Sequence, residues 1–316
     1  MIDFHTHLPW GLGLREAAEA LRAEMRRAGV GLSVVINVEA GLRTFRENVG
    51  WERLQRALRE ALEYSFSPRA GYIASIFLEP ERALMEHERV LAEISRDSLE
   101  FARGLSGYSD LVPVISYNPD LSPQQNLERL RELGELSLGM KVFPTLHFLD
   151  PDRPSLQPLY AEIGSMGGIV IVHTGCDPGI WELPAFCTAR PSSVARAARK
   201  NRGVKFVVAH LGAYSALNPG IYFKEALEAL AEENVYADTS AAEPEFVERA
   251  VDEVGYDKIL YGSDYPAVAG LSMERAVREV LGLNIEERAK RAITRENALK
   301  VLKGWAGWRR ISASAP

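Results

Sequence analysis

Short β-branched or apolar runs recur along this chain, each followed by a longer stretch of helical periodicity, and that alternation constrains the fold more than any other feature. Eight runs read as strands: Ile2 to Phe4, Leu32 to Val38, Leu111 to Tyr117, Gly139 to Phe143, Gly168 to Val172, Lys205 to Ala209, Asn234 to Ala237 and Lys258 to Tyr261. Between them, apolar residues fall at three- and four-residue spacing, as in Leu14 to Arg27, Pro123 to Leu133, Leu156 to Met166, Val194 to Lys200, Lys224 to Glu233 and Glu243 to Val254. Such alternation builds βα units around a parallel sheet, and eight units suggest a closed (β/α)8 TIM barrel. With 316 residues, 47% of them hydrophobic, the chain is long enough for one large α/β domain with a substantial core.

One connection breaks the rhythm. About seventy residues separate the second strand from the third, where a single helix needs far fewer. A helical insertion is therefore expected between them, over about residues 40–108, with amphipathic patterns from Leu42 to Tyr64 and from Pro80 to Leu105. They flank an apolar run, Tyr72 to Leu78, that reads as a short strand or a buried turn. Because the insertion leaves the C-terminal end of a strand, where barrel enzymes keep their chemistry, it suits a lid, a substrate wall, a subunit interface in a homo-oligomer, or plain packing. The tail from about 309 to 316, Arg309-Arg310 and then Ser, Ala and Pro, is expected to fray.

Four of the strand-like runs end in a side chain that can hold a divalent metal. Ile2 to Phe4 runs into His5-Thr6-His7, Ile169 to Val172 ends at His173, Phe206 to Ala209 at His210, and Ile259 to Gly262 leads through Ser263 to Asp264. Residues i and i+2 of a strand share a face, so His5 and His7 can converge on one ion. Imidazole nitrogen and carboxylate oxygen are the ligands of hydrolytic Zn²⁺ sites, which leave one position open for water. Lys141 closes the fourth strand by the same rule.

Other classes find little support. A net charge of −6, with arginines spread along amphipathic helices, argues against a nucleic-acid surface. No run of about eighteen apolar residues spans a bilayer, and a first strand at Ile2 leaves no room for a signal peptide, so no membrane partner and a cytoplasmic location are expected. Cys176 and Cys187 are too few for a disulfide framework and lack Cys-x-x-Cys spacing, so they read as packed thiols near the loop after the fifth strand. His147 reads as an exposed loop histidine, and His87, in Glu86-His87-Glu88-Arg89, as part of a solvated face. Trp10, Trp181, Tyr265 and Arg43 follow strand ends without an assigned role. Neither a Gly-rich phosphate loop nor a serine-hydrolase elbow is visible.

Asp3-Phe4-His5-Thr6-His7, Gly139-Met140-Lys141-Val142-Phe143-Pro144, Val172-His173-Thr174-Gly175, Ala209-His210-Leu211-Gly212 and Tyr261-Gly262-Ser263-Asp264-Tyr265-Pro266 occur in that order over nearly the whole chain. In this set the chain resembles the amidohydrolase superfamily, and within it the aminocarboxymuconate-semialdehyde decarboxylase-like group. The resemblance implies that His5, His7, His173 and Asp264 bind the more buried metal, one Zn²⁺ per chain, while His210 joins a second metal or faces substrate. His210-Leu-Gly-Ala departs from the usual His-x-Gly-Gly, which bears on the loop more than on the ligand.

In chemical terms, Asp264 could touch the metal and take the proton of the attacking water, and His210 could polarise a substrate carbonyl. Lys141 divides the mechanisms: carboxylated, it would bridge two metals with His173 and His210; as an ammonium, it would orient a substrate carboxylate or pair with a barrel carboxylate. The expected partner is a small-molecule substrate. The expected activity is a metal-dependent hydrolase whose activated water attacks a carboxylic amide, ester or lactone. The alternatives are a zinc-dependent non-oxidative decarboxylase acting on a small carboxylate, and a metal-binding barrel without turnover.

Overall fold

The structure, a computed structural model, describes residues 1–63, 79–268 and 270–312. Eight strands form one parallel sheet in sequential order: β1 (Ile2–Thr6), β2 (Leu32–Ile36), β3 (Leu111–Ser116), β4 (Gly139–Val142), β5 (Ile169–Val172), β6 (Lys205–Val208), β7 (Val235–Asp238) and β8 (Ile259–Leu260). Phe4 N–H donates to Tyr261 O at 2.7 Å and Asp264 N–H to His5 O at 2.8 Å, which brings β8 back against β1. The expected (β/α)8 barrel is thus present.

Continuous apolar strands such as Ile169-Val-Ile-Val172 suit a sheet buried on both faces. Alternate residues separate into two buried clusters. Ile2, Phe4, Val34, Ile36, Val112, Val114, Ile169, Ile171 and Val207 fill the barrel interior with Val301, Leu302 and Trp305 of the C-terminal segment. Val35, Ile115, Val170, Val172, Phe206 and Val208 face outward onto helix residues such as Leu21, Met25, Leu130 and Val194. That parity turns Lys141, His173 and Asp238 inward. On β1 the register shifts between Asp3 and Thr6.

The described part of the long β2–β3 connection is helical, with more breaks than the periodicity suggests. Leu42–Asn48 and Trp51–Glu63 are separate helices with Gly50 between them. Pro80–Ile94 and Ser98–Leu105 part at Asp97, whose carboxylate accepts from Leu99 N and Glu100 N, both at 2.9 Å, and caps a new helix. Ser98–Leu105 buries Phe101, Ala102 and Leu105 on the outer core, so it is the ordinary barrel helix before β3. The Tyr72 to Leu78 run lies outside the described residues. Beyond Ile36 the Asn37 N–H still donates to Val114 O of β3 (2.9 Å), while its side chain donates to Arg96 O (2.8 Å) and Arg96 N–H to Val38 O (2.9 Å), tying the strand end to the insertion.

Two further expectations are corrected. Trp308–Ser312 is helical, with Ile311 fully buried and Arg310 donating to Ser106 O at 2.7 Å, so the ordered chain runs past 309; residues 313–316 lie outside the description. Cys176 and Cys187 are a disulfide pair, their Cα atoms 5.0 Å apart, because Gly175 bridges to Ala189 and folds the loop after β5 back on itself.

Candidate metal centre

His5, His7, Lys141, His173, His210 and Asp264 line one cavity of about 400 Å³ at the C-terminal ends of the strands. All six are at most 5% exposed. The strand-end rule therefore brings together every site residue expected from the sequence. Two of them also need a local break in the backbone: His210 (φ 61°) and Asp264 (φ 55°) sit in the left-handed region, which costs a non-glycine residue roughly 1 kcal/mol or more. His210 is held there by its N–H on Asp238 Oδ1 (3.0 Å), and Asp264 by its N–H on His5 O and by Ala267 N–H on its own carbonyl (2.7 Å).

The ring nitrogens away from the cavity are pinned, which fixes those that face it. His7 Nδ1 donates to Ile36 O at 2.9 Å, and His5 Nδ1 lies 2.9 Å from Asp238 Oδ2 and 3.0 Å from Ser240 Oγ. Both rings thus aim the lone pair of Nε2 inward, where Asp264 Oδ1 stands 3.6 Å from His5 Nε2 and 3.3 Å from His7 Nε2. These three side chains offer ligand atoms within 4.8 Å of one another and could hold a metal ion. A second grouping, His5, His210 and Asp238, is a hydrogen-bond knot instead. Asp238 Oδ2 takes His5 Nδ1 and Oδ1 takes His210 N–H, Ser240 N–H (3.1 Å) and the Ser240 hydroxyl, which uses up its lone pairs.

His173 sits one step across the bowl. Its Nδ1 meets His210 Nε2 at 3.1 Å, and its Nε2 faces Asp177 Oδ2 at 3.2 Å. Neither His173 Nε2 nor Asp177 Oδ2 has a hydrogen-bond partner, although both atoms are buried. Two facing acceptors with nothing between them suit a cation. Lys141 Nζ, 3.3 Å from His5 Nε2 and 4.9 Å from the Phe143 ring centre, is the one ammonium or guanidinium among the described residues lining this cavity.

Burial lowers the pKa of His5, brings His210 to about 4 and takes His173 well below its ordinary value. Asp264, though buried, is held at about 2 by the His7, His5 and His210 rings around it. Burial first, then the charge of Asp264, lifts Asp177 to about 7, and burial brings Lys141 to about 8. Neutral imidazoles beside an ionised carboxylate are the states in which these groups can donate to a cation.

Three residues here were not singled out in the sequence. Asp238 ends the seventh strand and Ser240 follows it, where a carboxylate at a strand end was a usable signal; Asp177 lies in a loop and gives none. Two expectations are overturned. His147 is buried, not exposed: its Nδ1 accepts Phe143 N–H at 3.2 Å, and burial brings it to about 3. His87 is no free face: it lines the cavity and its Nε2 meets Ile180 N at 3.5 Å. Trp10 and Trp181 line the cavity as well, whereas Arg43 is turned to Asp120. No helix among the described residues is long and apolar enough to cross a membrane.

Residues 2–304 match the family model described as amidohydrolase. Among solved structures, an uncharacterised TIM-barrel protein of Bordetella bronchiseptica is 16% identical, with 96% of this chain and 98% of that one covered and a TM-score of 0.64. The 5-carboxyvanillate decarboxylase of Sphingomonas paucimobilis is 13% identical, over 95% and 98% of the two chains, with a TM-score of 0.59. A putative 2-pyrone-4,6-dicarboxylic acid hydrolase of Pseudomonas putida is 16% identical, over 96% and 97%, with a TM-score of 0.58. At these identities the likeness is one of fold. No curated protein matches the sequence.

Proposed function

Because the chain belongs to the amidohydrolase family, we propose that it is a metal-dependent hydrolase opening a carboxylic amide, ester or lactone, with one Zn²⁺ per chain held by His5, His7, His173 and Asp264. The observation that carries the metal reading is the convergence of His5 Nε2, His7 Nε2 and Asp264 Oδ1, with the outer nitrogens of both rings already engaged. The donor set, imidazoles and one carboxylate, suits zinc. When bound, a divalent ion supplies Lewis-acid polarisation and lowers the pKa of water. Asp264 takes the proton of the attacking water and delivers it to the leaving group. His210 Nδ1 donates to Ser240 O at 3.0 Å, so its Nε2 accepts from His173 Nδ1–H and holds the His173 Nε2 lone pair toward the cavity. Lys141 orients a polar group of the substrate.

The lining favours hydrolysis of a neutral group over loss of CO₂. Lys141 is its one cation among the described residues, and Asp177 and Glu86 place carboxylates on the wall, a poor setting for a carboxylate-bearing substrate. The decarboxylase reading rests on Lys141 itself, whose ammonium would pair with a substrate carboxylate.

Metal analysis of the purified protein and of His173→Ala tests the centre: one zinc per chain is expected in the first and loss of most of it in the second, and stoichiometric zinc surviving the substitution argues against the ligand set. An assay of the zinc-loaded protein on aryl esters, lactones and anilides, beside CO₂ release from aromatic carboxylates, tests the reaction. Turnover confined to CO₂ release would reverse the assignment.

A further inference from the structure

The insertion supplies one side of the cavity wall, and one histidine fastens it there. Helix Pro80–Ile94 presents His87, Val90, Leu91 and Ile94 to the cavity, opposite Trp181 of the loop after β5. The His87 ring bridges the two sides. Its Nδ1 donates to Ala83 O at 2.7 Å, one turn earlier on its own helix, which leaves Nε2 to accept Ile180 N–H at 3.5 Å. The ring lies edge-on to Trp181, 6.2 Å between centres, and sits against Gly179, where an added Cβ would stand 2.2 Å from His87 Nε2. Gly179 has φ +92°, a conformation that a side chain rarely adopts. The loop therefore carries no side chain at the point where the His87 ring docks.

The chamber above the polar floor is apolar and aromatic. Leu91 and Trp181 belong to a buried cluster that joins the insertion to the loops after β4 and β5, and both are at most 5% exposed. Val90, by contrast, is 44% exposed although it lines the cavity, an apolar side chain left open at its mouth. A cavity of about 400 Å³ has room beyond the few atoms that react.

We propose that helix Pro80–Ile94, locked to the loop after β5 by His87 on Gly179, is the specificity wall of this enzyme, and that it selects substrates whose reacting group carries an aryl or comparably bulky apolar body. The inference rests on the proposed metal centre, because the reacting group must sit on the floor for its body to reach this wall. His87 and Val90 are specificity residues; neither takes part in the chemistry.

Two metal-chelating probes that differ only in their apolar body test it: acetohydroxamate and benzohydroxamate, titrated calorimetrically into the zinc-loaded protein. Benzohydroxamate is expected to bind about tenfold tighter or more, the gain from burying a phenyl ring instead of a methyl. Val90→Asp, at a half-open position that folding tolerates, should remove most of that ratio while acetohydroxamate stays within about twofold. Gly179→Ala, which displaces His87, should act in the same direction, and Val90→Asp carries the test alone should the alanine variant fail to fold. Equal affinities for the two probes in the unaltered protein, or a ratio that survives Val90→Asp, overturn the wall while leaving the metal centre intact. Failure of both probes to bind zinc-loaded protein overturns the centre and the wall with it.

Discussion

Asp238 shows how much of this site depends on a side chain that faces no cavity. It is fully buried, ties His5 through Nδ1 and holds the left-handed turn of His210, so it sets the direction of two functional rings at once. Asp238→Ala should weaken zinc binding about tenfold or more, as loss of a carboxylate behind a ligating histidine generally does. Competition with a chromophoric chelator measures this, and unchanged affinity would show that His5 is oriented by other means. Lys141 presents a different question, because burial brings its pKa to about 8 and so leaves a neutral fraction open to carboxylation. With the ammonium 3.3 Å from His5 Nε2 we expect one ion per chain, and no rise in metal content when bicarbonate is added. A second equivalent of metal would reassign Lys141 as a bridge.

Strands here act as rulers that end at the bowl, and their spacing leaves little tolerance. At Gly139, the first residue of β4, an added Cβ would stand 1.8 Å from the carbonyl oxygen of Ile169 on β5. Gly139→Ala should therefore destabilise the fold by about 3 kcal/mol or more, beyond ordinary overpacking because the obstacle is backbone. Thermal unfolding should show a fall of several degrees or more, and an unchanged transition would mean that β4 and β5 stand farther apart than described. The insertion helices follow another logic: Phe45, Leu54 and Leu91 bury against Phe143, Leu146 and Trp181, so the loops after β4 and β5 depend on them for cover.

Across the molecule, folding and the proposed metal binding would be coupled, because the proposed ligands come from β1 and the segments just after β1, β5 and β8 and meet only once the barrel is closed. Zinc at a hundredfold excess over its dissociation constant would add about 2.7 kcal/mol to stability, so removing it with a chelator should lower the melting temperature and re-addition should restore it. A melting temperature indifferent to zinc would deny an ion bound by the closed barrel. The barrel and the gathering of these side chains at one bowl were legible in the chain because both follow from local periodicity: strands repeat every two residues, and whatever ends a strand lands on one rim. His5, His7, Lys141, His173 and Asp264 are of that kind. Asp177, the burial of His147 and the docking of His87 on Gly179 were not, since each arises where two connections far apart in sequence happen to touch, and periodicity carries no record of how loops fold back on one another. The sequence by itself thus determined which side chains stand at the mouth of the barrel, and tertiary packing decided which lone pairs point inward and what closes over them, because tautomer and access are properties of neighbours in space.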